Sequence, residues 1–294
     1  MVIDKYFKLL KNHPLENIQE FKLIENYLKK KRGFVYKMPK KNTPVISLFS
    51  GGLDSVSQSF YLMKKYGLRI YPLFLRRGQK RVNQEEKSVR YYEKIFREIF
   101  PDLFMPVFIM DAAIPPLNIR FILTNISNEF LDKKIKFRRG VPYLVPMMLT
   151  NAAYYSHYLE IKNNIHIRDI FVNLVSRDGT AFIYETVTAL RNSMYYLCSL
   201  SGDYSWQVTS IAIEKELGNF LQKDFFIKYC HKYGLDLSRT YTCFKSGLYA
   251  CGECMGCIAR KMAFETSKIS DSTIYANRLF LYRIIKKIKK LPMF

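Results

Sequence analysis

The spacing of apolar residues changes along the chain. Tyr6, Phe7 and Leu10, then Ile18, Phe21, Ile24 and Leu28, recur every three or four positions, which predicts two amphipathic helices within residues 1–40. The run Lys29 to Arg32 and Gly33 close the second helix, and residues 37–44 read as a linker. Val45-Ile46-Ser47-Leu48-Phe49 is a short apolar run of the kind a buried parallel strand needs. Behind it Val56, Phe60 and Met63 return to helical spacing. Gly67 punctuates, and Ile70 to Leu75 predicts a second strand. A helix is expected over 85–100, with Val89, Tyr92, Ile95, Phe96 and Ile99 on one face, and a third strand over 104–110. Residues 111–140 are less regular, carry Pro115-Pro116 and end in a basic run from Lys133 to Arg139. Further on the pattern predicts a helix over 145–159, a strand over 170–175, a helix over 182–199, a fifth strand within 206–211, and a helix opened by Lys223 and ended by Gly234. Alternating strands and helices imply an α/β fold built on a doubly wound parallel sheet. The expected division is a helical extension (1–40), the α/β domain (44–237), a cysteine-bearing region (238–268) and a basic helix (269–294) docked on the core.

The length of 294 residues and a hydrophobic content of 49% allow one large domain with appendages. Lys and Arg total 47 against 25 Asp and Glu, a net charge of +22. That charge suits a nucleic acid, a nucleotide or an acidic protein partner, and a solvated lysine-rich surface explains it equally well. No apolar run reaches the ~18 residues of a membrane span, and Met1 to Lys5 has no apolar signal-peptide core. A cytoplasmic protein with no membrane span is expected. The oligomeric state is open, a homodimer included. Of the six cysteines, four lie between residues 243 and 257, which points to a metal in a reducing compartment and away from disulfides. Cys198 and Cys230 lie in helical context and read as core residues.

The densest chemistry follows the first strand, in Ser50-Gly51-Gly52-Leu53-Asp54-Ser55. Two glycines let backbone N–H groups approach an anion, and the helix N-terminus behind them adds dipole and free donors. Ser50 and Ser55 offer hydroxyls to phosphate oxygens. Asp54 would repel phosphate, and makes sense if Mg²⁺ lies between them. The Gly-Lys-Ser/Thr ending of a Walker A loop is absent. The hexapeptide resembles the PP-loop of the N-type ATP pyrophosphatases, Ser-Gly-Gly-x-Asp-Ser. Those enzymes cleave ATP between its α and β phosphates to adenylate a carboxylate, amide or carbonyl oxygen, after which a nucleophile displaces AMP. On that resemblance Phe49, Ser50, Gly51, Gly52, Leu53, Asp54 and Ser55, with Gly78 and Gln79 after the second strand, are candidate ATP-binding residues.

Cys243, Cys251, Cys254 and Cys257 are spaced to close a tetrahedron around Zn²⁺, with Gly247, Gly252 and Gly256 providing tight turns and Arg260 and Lys261 offsetting thiolate charge. A full set of four ligands makes such a site structural. An iron–sulfur cluster is the rival occupant. Thr240-Tyr241-Thr242-Cys243-Phe244 and Cys251-Gly252-Glu253-Cys254-Met255-Gly256-Cys257, followed by Arg260 and Ala263-Phe264, resemble the C-terminus of the 7-cyano-7-deazaguanine synthases. Gly78-Gln79 and Lys223 match that family too, and the resemblance spans roughly residues 44–268. It implies conversion of 7-carboxy-7-deazaguanine, ammonia and ATP to the nitrile, with Asp54 and Lys223 as catalytic groups.

The middle of the chain departs from that family. Its Val-Pro-Gly-Arg-Asn segment is met only by Arg138-Arg139-Gly140-Val141-Pro142, and its Gly-Tyr-Pro-Asp-Cys-Arg only by Arg177-Asp178-Gly179. Arg77, Arg139, Arg177 and Asp178 are the candidate substrate contacts, and of Arg76 and Arg77 one is expected to be a surface charge. An altered recognition segment beside a retained activation loop leaves two alternatives to the synthase. One uses the same adenylation to join a deazaguanine to an amine of a protein or other macromolecule, as in anti-phage defence. The other is a PP-loop enzyme that modifies tRNA.

Overall fold

The computed structural model describes residues 3–119, 141 and 143–278. Two helices lead, α1 (Ile3–Lys11) and α2 (Ile18–Arg32). Asn17 caps α2 by accepting from Glu20 N at 3.1 Å, and Gly33, at φ +80°, ends it. Then follow β1 (Pro44–Leu48), α3 (Leu53–Tyr66), β2 (Arg69–Arg76), α4 (Val82–Ile99), β3 (Phe108–Asp111), α5 (Leu144–Asn163), β4 (Asp169–Phe171), α6 (Val187–Ser201), β5 (Gln207–Thr209), α7 (Lys223–Lys232) and α8 (Met255–Ser267).

The five strands form one parallel sheet in the order β3-β2-β1-β4-β5. Ile46 of β1 lies between Tyr71 of β2 and Ile170 of β4. Helices cover both faces, as an all-parallel sheet requires. The chain winds outward from β1 to β2 and β3, then returns to the other side of β1 with β4 and β5. The crevice between the carboxyl ends of β1 and β4 is therefore the topological switch point, where open α/β sheets place their ligands.

Both N-terminal helices share the main core: Tyr6, Leu10, Phe21, Ile24 and Leu28 are buried within it. Polar ties reinforce them. Glu16 accepts from Val187 N at 2.7 Å and Thr188 N at 3.0 Å, a carboxylate placed on the N-terminus of α6. Glu25 of α2 meets Arg191 of α6, which also pairs with Glu214 beyond β5, all three buried. No helix among the described residues is long and apolar enough to cross a membrane.

The structure departs from the expected pattern in five places. The third strand begins at Phe108 rather than Phe104, which makes only an isolated bridge to Ile70. Ile99, the last residue of α4, is half-exposed rather than on the buried face. The fourth strand stops at Phe171, and Asn173 then turns its amide onto Ser47 Oγ and Leu48 O, at 3.0 and 2.9 Å. Two 3-10 turns, Asp178–Thr180 and Ile183–Glu185, replace the start of the helix expected from Phe182, which begins instead at Val187 under the Thr186 cap. Residues 270–275 are irregular rather than helical, and Tyr275 pairs back onto Ala250 beside the cysteines. The rest of the expected C-terminal helix, and the basic run containing Arg139, lie outside the described residues.

Candidate functional site

The loop after β1 is shaped by glycine and by its neighbours. Gly51 has φ +70°, and a Cβ there would lie 2.8 Å from Glu85 O and 2.9 Å from Val89 N. Only glycine lets α4 press this close, and Ser88 Oγ donates to Gly51 O at 2.6 Å. Ser50 and Ser55 hydroxyls lie 3.2 Å apart, and Gly52 N donates to Ser50 Oγ at 3.3 Å. The Phe49 side chain is turned into the core against Phe96 and Phe104, and Leu53 is buried too. These two residues present only their main chain to the crevice.

Asp54 stands in the first turn of α3 and meets the ammonium of Lys223, at the first turn of α7. Lys223 Nζ also lies 3.7 Å from Asp178 Oδ1, on the 3-10 turn beyond β4. Asp178 is held there by accepting from Val175 N at 2.9 Å. Three segments far apart in sequence thus converge at the switch point. Burial alone would lower the Lys223 ammonium, but Asp178 and Asp54 outweigh it and hold its pKa well above the ordinary lysine range. Burial raises the Asp54 carboxyl, with Lys223 pulling the other way. Glu185 joins the group: burial and then Asp178 push it up to about 8, with Lys223 and Arg77 opposing. With Glu185 holding its proton at neutral pH, Asp54 and Asp178 are the carboxylates that face Lys223 and Arg77 in the crevice.

The two arginines at the end of β2 part company. Arg76 forms a bidentate pair with Glu86, at 3.0 and 2.9 Å, and approaches Asp111, whereas Arg77 stands within the field of Glu185 and Tyr184. Gly78 has φ +79° in the same turn. The Gln79 side chain is buried and accepts from Arg77 N at 2.8 Å while donating to Glu85 at 2.6 Å, so it shapes the turn from inside. Arg177 is exposed on the 3-10 turn beside Asp178. Arg139 lies outside the described residues. Glu185, Ser88 and Glu85 had no marker in the sequence. They come to the loop only through the packing of α4 and the turn before α6.

The four sulfurs of Cys243, Cys251, Cys254 and Cys257 lie within 4.8 Å of one another. Pairs are 3.9 Å apart (243 to 254), 3.9 Å (251 to 257) and 3.5 Å (254 to 257). A tetrahedral zinc with bonds of about 2.3 Å needs sulfurs about 3.8 Å apart, so a single zinc ion fits. Sulfurs this close leave no room for a multi-iron cluster. Backbone N–H groups of Lys245, Cys251, Phe244 and Cys254 point at Cys243, Cys254 and Cys251 sulfurs at 3.3 Å, which favours thiolates. That offsetting role was expected of Arg260, but its guanidinium is turned to Asp271 at 3.1 Å and to the Leu237 carbonyl at 2.9 Å. Lys261 donates to Gly252 O at 2.7 Å. Gly256 permits the closest turn, since a Cβ there would lie 2.1 Å from Thr242 O. Cys198 and Cys230 are buried away from this cluster. Tyr241 N donates to Gly51 O at 3.1 Å, so the cysteine lobe and the glycine loop brace each other directly.

Comparison with known proteins matches residues 44–268 to the family of queuosine biosynthesis protein QueC. The chain is 26% identical over 244 residues to 7-cyano-7-deazaguanine synthase 1 of Sulfurisphaera tokodaii, covering 78% of this chain and 96% of that protein. It is 26% identical over 241 residues to the 7-cyano-7-deazaguanine synthase of Rickettsia massiliae, covering 78% and 97%. A third relative, the 7-cyano-7-deazaguanine synthase of Campylobacter jejuni subsp. doylei, is 23% identical over 237 residues, with the same coverage.

Proposed function

Because the chain belongs to the QueC family of queuosine biosynthesis proteins, we propose that it is an ATP-dependent carbon–nitrogen ligase of the 7-cyano-7-deazaguanine synthase type. Its carboxylate substrate is 7-carboxy-7-deazaguanine, and ATP leaves as AMP and pyrophosphate. The observation that carries this reading is the Lys223 ammonium held between Asp54 and Asp178 at the mouth of the glycine loop.

A carboxylate does not accept ammonia, because its leaving group would be oxide. Attack of a carboxylate oxygen on the α phosphorus of ATP expels pyrophosphate and makes AMP the leaving group. Ammonia then attacks the acyl carbon, AMP departs and the amide forms. A second ATP activates the amide oxygen, and loss of AMP and a proton leaves the nitrile.

In this protein the N–H groups at the start of α3 and of Gly51 would meet the departing pyrophosphate, and Lys223 would neutralise charge that grows on the phosphates. Its pKa keeps it cationic throughout the neutral range. Asp54 would hold the Mg²⁺ that arrives with ATP, and the ion would supply positive charge to offset the phosphates. Cys243, Cys251, Cys254 and Cys257 would hold the zinc, which would stiffen the lobe whose Tyr241 N–H meets Gly51 O. Arg77, within the field of Glu185, and the exposed Arg177 beside Asp178 are the arginines that would meet the deazaguanine.

The test is mass spectrometry of a reaction containing protein, ATP, Mg²⁺, 7-carboxy-7-deazaguanine and ammonium. Amide and nitrile are expected together with AMP, and Asp54→Ala and Lys223→Ala should each lose at least ~100-fold in rate. No AMP above the Asp54→Ala background would overturn the assignment.

A further inference from the structure

The net charge of +22 is not used up by the chemistry of the crevice, and part of it is gathered in one place. Residues 33–43, between α2 and β1, run along the amino edge of the sheet. Lys37 N donates to Gln207 Oε1 at 2.7 Å, and Gln207 Nε2 donates to Lys37 O at 3.0 Å, at the first residue of β5. Gln207 Nε2 also reaches Asp169, the first residue of β4, at 2.6 Å. Farther along, Asn42 N donates to Gly67 O at 2.8 Å, and the N–H of Arg69, the first residue of β2, to Thr43 O at 3.0 Å. The segment therefore crosses the starts of β5, β4, β1 and β2, a width of about 14 Å at ~4.8 Å per strand. It lies at the end of the sheet opposite the switch-point crevice. Lys29, Lys30 and Lys31 close α2 at one end of this strip, and Lys37, Lys40 and Lys41 stand along it, all six exposed. Lys64 and Lys65, in the last turn of α3, are exposed near the point where the Lys41 stem lies over Gly67. Among the described residues the lysines held in ion pairs are Lys215, Lys223 and Lys228, and none of these eight. The carboxylates of this edge are already taken: Asp203 and Glu160 by Arg168, at 2.6 and 3.0 Å, and Asp169 by Gln207. A helix dipole accounts for cations in a last turn, but Lys37, Lys40 and Lys41 stand outside any helix.

Aromatic rings are set among these cations. The Arg32 guanidinium lies 4.6 Å and the Lys37 ammonium 4.3 Å from the ring centre of Phe34. Lys31 lies 5.8 Å from the ring of Tyr27 and 5.9 Å from that of Tyr204. Tyr27 is 37% exposed, and Phe34 and Tyr204 are half-buried, so each ring keeps contact with solvent. We propose that this strip, from the end of α2 across the starts of β5, β4, β1 and β2, binds single-stranded nucleic acid without reading its sequence. Lysines without carboxylate partners supply contacts to successive phosphates, and rings between them supply faces on which bases stack, the two features that such surfaces combine. A duplex turns its bases inward and leaves the rings unused. An acidic peptide satisfies the lysines but brings no base to stack. The strip shares no residue with the ligase site.

The experiment is fluorescence anisotropy of a labelled oligouridylate of about 15 nucleotides, titrated with the full zinc-loaded chain at about 50 and about 200 mM salt. With about four phosphate contacts, each worth about −0.7 in the slope of log affinity against log salt, binding should weaken about 50-fold between the two salts. Replacing Lys37, Lys40 and Lys41 together by Gln should weaken binding at the lower salt by at least ~10-fold and reduce that slope by about 2. Its unfolding temperature should not change, because the three side chains are exposed and the bonds to Gln207 come from the Lys37 main chain. Formation of AMP from ATP and 7-carboxy-7-deazaguanine should not change either, because the crevice lies at the far end of the sheet. Tyr27→Leu should weaken binding by about 5-fold with the slope intact, the signature of lost stacking rather than lost charge. As a control, Lys87, Lys94 and Arg97 replaced together by Gln take the same charge from the exposed side of α4, and should cost less than about 3-fold. No binding at about 100 µM protein overturns the proposal. So do equal losses in the strip and α4 variants, which would make binding a property of net charge alone, and undiminished binding by the strip variant, which would place the contact elsewhere on the chain. A poly-glutamate of matched charge that displaces the strand at equal concentration overturns it as well, and assigns the strip to an acidic protein.

Discussion

Replacement of Arg191 by methionine should cost about 3–5 kcal/mol at pH 7.5, the usual result of removing one partner from a buried charged group. Arg191 is almost wholly buried and donates to Glu25 Oε1 at 3.0 Å and to both oxygens of Glu214, at 3.1 and 2.6 Å. Lys215 lies 2.5 Å from Glu25, so the group holds two carboxylates and two cations. Methionine nearly fills the vacated space, and the loss is therefore electrostatic rather than a cavity. Glu25 keeps Lys215. Glu214 keeps only neutral donors, Thr209 Oγ1 and the Glu216 N–H at 3.0 Å, and becomes a buried, uncompensated charge.

The pH dependence separates this cause from lost packing. In the wild type, burial would raise the Glu214 carboxyl, but Arg191 outweighs it and holds it below its ordinary value. Its contribution is therefore present above the unfolded pKa and lost as pH falls through the folded one. Without Arg191 the shift reverses. A raised folded pKa makes stability fall as pH climbs above the unfolded value, so acidifying from pH 8 toward 5.5 should narrow the gap between variant and wild type. Urea unfolding at fixed zinc, followed by the fluorescence of the single tryptophan, buried Trp206, measures both curves. A gap under ~1 kcal/mol, or one equal at pH 8 and 5.5, would refute the reasoning.

Three other changes report on the site. Gly51→Ala combines φ +70° with backbone atoms under 3 Å from the new Cβ, and should destabilise by about 2 kcal/mol or more and weaken ATP binding, read by urea midpoint and by calorimetric titration. Stripping zinc with a chelator should lower the unfolding temperature and also the affinity for ATP, because Tyr241 N holds Gly51 O; an apo-protein that binds ATP normally would break that link. Glu185, pushed up to about 8, keeps its proton in the folded state over a range where the unfolded chain has lost it. Wild-type stability should fall as pH rises from about 4.5 to 8, and Glu185→Gln should flatten that slope; parallel curves would assign the slope to other groups.

What the sequence reveals of this protein is whatever chemistry is local. The strand, glycine turn and helix around residues 44–66 are legible because each depends on neighbours within a few positions, and the cysteine spacing is legible because one ion dictates it. Asp54, Asp178 and Lys223 are each visible as candidates, but their meeting follows from the return of the chain to the far side of β1, which no window of residues contains. Glu185 carries no pattern at all; it matters because two 3-10 turns delay the start of α6, which Thr186 caps and whose first N–H groups meet Glu16, 171 residues before Val187. The choice between Arg76 and Arg77 turns on Glu86, which takes the first and leaves the second to face the crevice. The N-terminal helices show the same limit. Their amphipathic spacing announces a buried face, but nothing in it announces that Glu25 will balance an arginine inside the core. Deleting residues 1–32 would therefore not simply uncover Phe21, Ile24 and Leu28. It would take one carboxylate from Arg191 and the Glu16 carboxylate from the N-terminus of α6, loosening the helix that follows the Glu185 turn. The extension is thus coupled to the switch-point crevice through charge and capping, links that apolar periodicity does not encode.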